Sequence, residues 1–190
     1  MSIAFCIPTT SRGLNIKDIT ESPLYKVVLK SLPDSEGGEI TFYVGYDDDD
    51  PIFSIQEQRD KLKDYNISWL SVQVEKGHVT EIWNQLGKKA IEDGYEYLYI
   101  LGDDILFDQE MFLQKWIVKL KKQNNLGWVA GFNGNHRIPT QFFIHKTHYE
   151  IFNYIYHPMI KNWWCDDFMN ELYPKKYRQW DKDIQHLNVG

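Results

Sequence analysis

Cysteine is scarce in this chain: among 190 residues there are two, Cys6 and Cys165, far apart in sequence. That excludes a disulfide framework and a cysteine-based zinc spacing, and the apolar surroundings of Cys6 mark it as a buried thiol. Positive charge is also in deficit, with 21 Lys and Arg against 27 Asp and Glu and a formal charge of −6. Such a balance argues against a nucleic-acid partner, and a phosphorylated ligand would need a cation to bridge it to the protein. No apolar run approaches the length of a membrane span, and the start MSIAFCIPTTSRG lacks the basic segment and long apolar stretch of a secretory signal. Internal repeats and low-complexity linkers are absent as well. The expectation is a soluble protein of a reducing compartment, the cytoplasm, with no membrane span and no nucleic-acid partner.

What is present is apolar and aromatic. Hydrophobic residues make up 43% and aromatic residues 15%, including seven Trp, enough for a sizeable core with a surplus suited to stacking on sugars or bases. Strand-like and helix-like segments alternate. Residues 3–7 form a short apolar strand closed by Pro8. Ser22-Pro23 is a helix start, with Leu24, Tyr25, Val28, Leu29 and Leu32 on one face behind it. Further strands are expected at 40–46, 67–72, from 97, and at 126–130. Helices are expected at 55–65, from Val79 to a stop at Gly94, and at 112–120. This succession predicts an α/β fold with a mainly parallel sheet flanked by helices. Beyond Gly131 the pattern is less regular, with a strand expected at 141–144 and a helix at 147–156.

In a parallel sheet the strand ends gather along one edge, where open α/β sheets bind ligands. Three polar clusters follow strands here. The first, IPTTSRG, brings Pro8, Thr9, Thr10 and Arg12: loop amides, small hydroxyls and a guanidinium able to pair with phosphate or stack near a base. A solvated loop Arg is the equal alternative. The second, YVGYDDDDP, sets Asp47 and Asp48 just past a strand, where a carboxylate accepts from a ribose hydroxyl or nucleobase N–H; Asp49 and Asp50 are expected to be solvated. The third, YLYILGDDILF, ends a buried-looking strand on Asp103 and Asp104. Alone, Gly-Asp-Asp reads as a turn. Beside two other polar strand ends it reads as a corner that holds a divalent cation.

Asn84 shares the polar face of its helix with Thr80 and Lys88 and is a candidate to hold a nucleotide or order the aspartates; a plain surface amide is equally plausible. Later, NWWCDDFM sets Trp163 and Trp164 beside Asp166 and Asp167 at a helix start. Capping alone accounts for one Asp. Two Trp flanking two Asp suggest a sugar platform beside a general base. His186, near the C-terminus, offers an imidazole, although an isolated terminal His is usually solvent-exposed.

Taken in order, IPTTSR, YDDDD, the GHVTEIWN helix leading into YLYILGDDILF, WWCDDF and His186 resemble GT-A fold glycosyltransferases, most nearly the small glycosyltransferase domains that chloroviruses, large algal viruses, encode for capsid-protein glycans. The resemblance spans nearly the whole chain. It implies one GT-A-like (Rossmann-type) domain over 1–190, with 1–131 as the nucleotide-sugar-binding half and 132–190 as the acceptor and catalytic-base half. It also implies a nucleotide-sugar donor, most often a UDP-sugar, together with Mn²⁺ or Mg²⁺. The family's Asp-x-Asp motif matches Gly102-Asp103-Asp104, with Gly in place of the first acid. Asp104 is then the expected metal ligand, Asp103 a ribose or supporting contact, and His186 the residue that completes the metal's ligands.

By the same resemblance Asp167 is the expected base, with Asp166 as its substitute, in an inverting hexosyl or deoxyhexosyl transfer. The partners implied are a nucleotide sugar and a glycan or glycoprotein acceptor, in the host cytoplasm for a viral protein, with room for further domains in a longer chain. A nucleotidyltransferase shares the architecture but usually carries a glycine- and lysine-rich phosphate loop where this chain has PTTSRG. A non-catalytic sugar-nucleotide-binding module is the alternative of a different class. A phospho-acceptor receiver domain lacks a convincing counterpart for its later Lys.

Overall fold

The apolar run that opens the chain becomes β1 (Ser2–Pro8), buried from Ile3 onward. In this computed structural model, which describes residues 2–33, 39–107, 109–133 and 137–189, β1 pairs in parallel with β2 (Glu39–Asp47) and with β4 (Tyr97–Ile100). β3 (Ile67–Val72) adds to β2, also in parallel. Burial on both faces is why β1, β2 and β4 read as continuous apolar runs. Beyond β4 the sheet turns mixed. β7 (Phe142–His145) runs antiparallel to β4, and β6 (Trp128–Phe132) antiparallel to β7. β8 (Arg178–Asn188) runs parallel to β6, and β5 (Ile105–Phe107) antiparallel to β8. The result is one eight-stranded sheet in the order β3-β2-β1-β4-β7-β6-β8-β5. The division expected at 131/132 falls inside β6, and strands from both sides of it share the sheet.

Period-two alternation sends neighbouring side chains to opposite faces. Phe5, Tyr99 and Phe143 enter one core layer with Trp116, while Cys6, Ile100 and Phe142 enter the other with Leu86. Helix α2 (Val79–Glu92) lies on the second face. It packs so closely on β2 that a Cβ at Gly45 would come 2.5 Å from Ile82 Cγ2. Only glycine permits that approach, and it sets the start of α2 near the strand ends. Helix α3 (Phe112–Lys121) buries Phe112, Trp116 and Leu120 on the first face. Its position is locked by Asp181 of β8, 2% exposed, which accepts from Trp116 Nε1 (3.1 Å) and pairs with Lys115 (2.9 Å) and Lys119 (3.2 Å).

Some elements differ from the sequence expectation. The helix after Ser22 winds as a π-helical segment, Leu24–Leu29. The helix expected at 55–65 is a short α1 (Gln56–Arg59) followed by a 3₁₀ turn. Helices α4 (Thr147–Phe152) and α5 (Cys165–Leu172) complete the set. β8 lies where the charged stretch Trp180–His186 gives no strand alternation, so register with β6 and β5 rather than local pattern determines it. Among the described residues, no helix is long and apolar enough to cross a membrane.

The junction before β6 gives a stability test. Gly127 has φ +90°, and a Cβ there would lie 2.0 Å from the Tyr177 carbonyl oxygen at the entry to β8. Gly94 has φ +94° but open space around it. Gly127→Ala is expected to lower stability by about 2–4 kcal/mol and Gly94→Ala by about 1 kcal/mol in urea titrations. Equal costs would contradict the packing of β6 against the start of β8.

Candidate functional site

β1 leaves the sheet at Pro8 and its loop folds over the end of β2, where Thr9 N–H donates to the Gly45 carbonyl (2.8 Å). Asp50 pins that loop. Its carboxylate, 0% exposed, accepts from Ser11 Oγ (2.6 Å), Ser11 N–H (2.8 Å), Thr10 Oγ1 (3.0 Å) and the N–H groups of Ile52 (3.0 Å) and Phe53 (2.8 Å). Burial alone would raise its pKa, but these donors outweigh it and hold the carboxyl below the ordinary value. Asp50 is therefore a structural anchor rather than the solvated residue expected from sequence. Beside it Arg12 pairs with both Asp47 and Asp49, so its charge is matched within the acidic turn, and Asp49 too has a partner. Asp48 accepts from Gln73 Nε2 (2.6 Å).

The third cluster joins the first. Thr9 Oγ1 donates to Asp103 Oδ2 at 2.6 Å, tying the β1 loop to the turn after β4. Burial, with Asp104 adding to it, pushes Asp103 up to about 6 despite the Thr9 bond. The Asp104 carboxylate folds over Gly102, its Oδ1 2.8 Å from where a Cβ on residue 102 would sit. Gly102 thus leaves the space that Asp104 occupies, and an acid there would compete for it. All three strand-end clusters meet along one edge, as the parallel arrangement requires. Between them lies a cleft of about 300 Å³ whose walls include Thr9, Asp47, Lys76, His78, Ile82 and Asp103. A larger hollow of about 620 Å³ continues past Arg12 to Asp48 and Gln73.

Two expected site residues lie elsewhere. Asn84 donates to the Tyr156 carbonyl (3.0 Å) and accepts from the N–H groups of Ile155 (2.9 Å) and Tyr156 (2.8 Å). It clamps the 155–156 backbone onto α2, with both its amide oxygen and its amide nitrogen engaged there. His186 is 0% exposed, packed among Phe107, Phe112 and Trp116, and shares a 2.5 Å hydrogen bond with the Tyr99 hydroxyl. Burial lowers its pKa to about 3, so it is a neutral core imidazole. Its pairing opposite Phe107 in the β5–β8 ladder places it there, and its Nε2 has no hydrogen-bond partner among the described residues. Among the described residues, no group of three or more His, Cys, Asp and Glu could hold a metal ion.

The Trp-flanked acids form a second face. Trp163 is 85% and Trp164 75% exposed, and Trp164 caps α5 in the left-handed region at φ +74°. That conformation is unusual for a bulky residue and costs about 1–2 kcal/mol, which the surrounding structure must offset. Asp166, pushed up to about 6 by burial and by Asp167, accepts from the Cys165 thiol (3.4 Å). Trp163, Trp164, Asp166 and Asp167 line a depression of about 590 Å³. A further hollow connects it to the Thr9–Asp103 cleft, sharing Trp163 and Trp164 with one and Gly77 with the other. The link is held by Thr80 N–H donating to the Lys161 carbonyl (3.2 Å) and by the Lys161–Glu75 pair (2.5 Å). Lys76, Gly77 and His78 are not among the site residues expected from the sequence, although Gly77 and His78 open the GHVTEIWN motif. Yet they follow β3, at the same edge of the sheet as the other clusters.

No family model matches the sequence, and no curated protein matches it. Solved structures match in fold. The S. aureus TarS fragment 1–349 in complex with UDP superimposes with a TM-score of 0.67 at 13% identity over 98% of this chain and 60% of that one. The mannosyltransferase PcManGT from Pyrobaculum calidifontis, in complex with GDP-Man and Mn²⁺, gives 0.67 at 9% identity over 100% and 57%. A cytidylyltransferase from Leptospira borgpetersenii gives 0.61 at 10% identity over 95% and 75%. At such identities the likeness establishes a shared fold, the GT-A-type α/β fold. The chain spans about 60% of the length of the TarS fragment.

Asp103 supplies a test of this geometry. Its folded pKa of about 6 lies above the value in an unfolded chain. The native state therefore disfavours the charged form: the contribution is fully present below about pH 4 and is lost as pH rises through 6. Asp103→Asn keeps an acceptor for Thr9 and removes the charge. It is expected to be more stable than wild type at pH 8, by about 1–2 kcal/mol in urea titrations, and equal at pH 4. Equal stability at pH 8 would contradict the burial of this carboxylate.

Proposed function

We propose that this chain is a metal-assisted glycosyltransferase that uses a nucleotide-diphosphate sugar, UDP-linked by the family resemblance, and a glycan or glycoprotein acceptor. One observation carries the reading: the cleft at the ends of β1, β2 and β4 shares Gly77 with a hollow that borders a face bearing two exposed Trp and two adjacent carboxylates. That is the layout of a donor site beside an acceptor site. The donor's nucleoside is assigned to the Arg12–Asp47–Asp48 side, and its diphosphate to the part of the cleft walled by Pro8, Thr9, Thr10 and Asp103. The UDP, UDP-GlcNAc and GDP-Man complexes of TarS and PcManGT, which share the fold, support a donor of this class. The narrower likeness to chlorovirus enzymes rests on the sequence motifs alone.

Asp103 and Asp104 fit a divalent cation. They are adjacent carboxylates at one strand end, and Asp103 is held in its less-charged range by burial and by its neighbour, a condition that a cation would relieve. Asp103 and Asp104 would hold such an ion and leave positions for oxygen ligands from outside the protein, as Mg²⁺ and Mn²⁺ commonly require. Bound there, it would supply positive charge to the departing diphosphate. On the other side, Trp163 and Trp164 offer stacking surfaces to an acceptor sugar. Asp167 takes the proton of the acceptor hydroxyl, whose oxygen bonds to the anomeric carbon. The bond from that carbon to the phosphate oxygen breaks, and its electron pair leaves with the nucleoside diphosphate. Asp166 is the second candidate base, because a pKa near 6 suits proton uptake at neutral pH.

Product analysis tests the reading. Incubation with UDP- and GDP-sugars and glycan acceptors is expected to release free nucleoside diphosphate. Pyrophosphate from a nucleoside triphosphate and a sugar phosphate would identify a nucleotidyltransferase instead, the activity class of the cytidylyltransferase neighbour. Asp104→Ala is expected to lose metal-dependent nucleotide binding. Asp167→Asn is expected to bind donor normally and slow transfer by about 10²–10⁴. If Asp166→Asn alone shows that loss, Asp166 is the base; undiminished transfer in both variants sinks the acceptor-side assignment.

A further inference from the structure

The cationic groups of the donor cleft are not equivalent. Arg12 is already paired with Asp47 and Asp49. Lys76, at the exposed tip of the segment between β3 and α2, has no ion-pair or hydrogen-bond partner among the described residues, and it borders both the cleft and the adjoining hollow. Two residues on, His78 lines the same cleft, and its Nε2 is buried with no hydrogen-bond partner among the described residues. The segment is not a loose tail. Glu75 is paired with Lys161, and the His78 N–H donates to the Glu75 carbonyl at 2.9 Å. A protein of formal charge −6 thus places an uncommitted ammonium and an unsatisfied imidazole nitrogen at the wall facing Asp103.

We infer that the segment from Glu75 to His78 is the diphosphate clamp of this cleft, with the Lys76 ammonium as charge partner of the phosphates and His78 Nε2 as a hydrogen-bonding partner. The inference rests on the donor assignment above and deepens it. A dianionic diphosphate beside Asp103 and Asp104 is under-neutralised by one divalent ion, and Lys76 is placed to supply the missing charge. Arg12, held by two carboxylates, is better suited to shaping the nucleoside side.

Calorimetric titration of wild type, Lys76→Met and Lys76→Arg with UDP, GDP and the matching nucleosides, each with Mn²⁺ and with EDTA, tests this. Lys76→Met is expected to weaken diphosphate binding roughly tenfold or more, the scale of one charge-assisted contact, and to leave nucleoside binding unchanged. Lys76→Arg is expected to stay within about threefold of wild type. Diphosphate binding by Lys76→Met as tight as wild type overturns the clamp, as does an equal loss for diphosphate and nucleoside. Failure of wild type to bind either diphosphate overturns the donor assignment itself and the clamp with it.

Discussion

The Asp50 carboxylate is the constraint on which the candidate site depends. It is the last acid of an exposed-looking run, yet it is buried and satisfied by donors from two separate loops. Three come from Thr10 and Ser11 after β1, and two from the backbone just beyond Pro51 after β2. A buried charge persists only when so surrounded, so each loop fixes the other. From that joint Arg12 reaches Asp47 and Asp49, and Thr9 reaches Asp103. Asp50 ties the first and second clusters together alongside the Thr9–Gly45 hydrogen bond and the Arg12 ion pairs.

Much of the fold was legible because its signals are local. The apolar runs of β1, β2 and β4 are continuous, and the face of α2 repeats at helical spacing and ends at Gly94. The meeting of Thr9, Asp47 and Asp103 follows from the parallel sheet alone. What escaped was decided by distant partners. β8 carries charges that local alternation cannot explain, because Asp181 is neutralised by Lys115 and Lys119 of α3. His186 looks like a free terminal imidazole until β8 pairs with β5 and encloses it among aromatic rings. Asn84 looks like a surface amide until the 155–156 backbone folds onto it. In each case a polar residue is used to hold elements together, which residue type and spacing do not disclose.

The remaining site follows one electrostatic logic. An acidic chain that takes an anionic ligand must limit where its negative charge is free. Asp50 and Asp181 are buried and compensated, and Asp47 and Asp49 are paired with Arg12. The carboxyls pushed upward, Asp103 and Asp166, stand on the two faces that the Gly77 hollow joins. The strained Trp164 at the start of α5 marks the second face as a place where local stability has been yielded to surface shape.

Hydrogen–deuterium exchange with UDP or GDP and Mn²⁺ tests most directly whether this cleft is a nucleotide site. The expected result is slowed exchange confined to residues 8–12, 45–50, 73–82 and 101–104, the segments that frame it, with the Trp163–Asp167 face unchanged until an acceptor is added. Absence of protection with either nucleotide, or protection centred on another part of the sheet, would contradict the assignment.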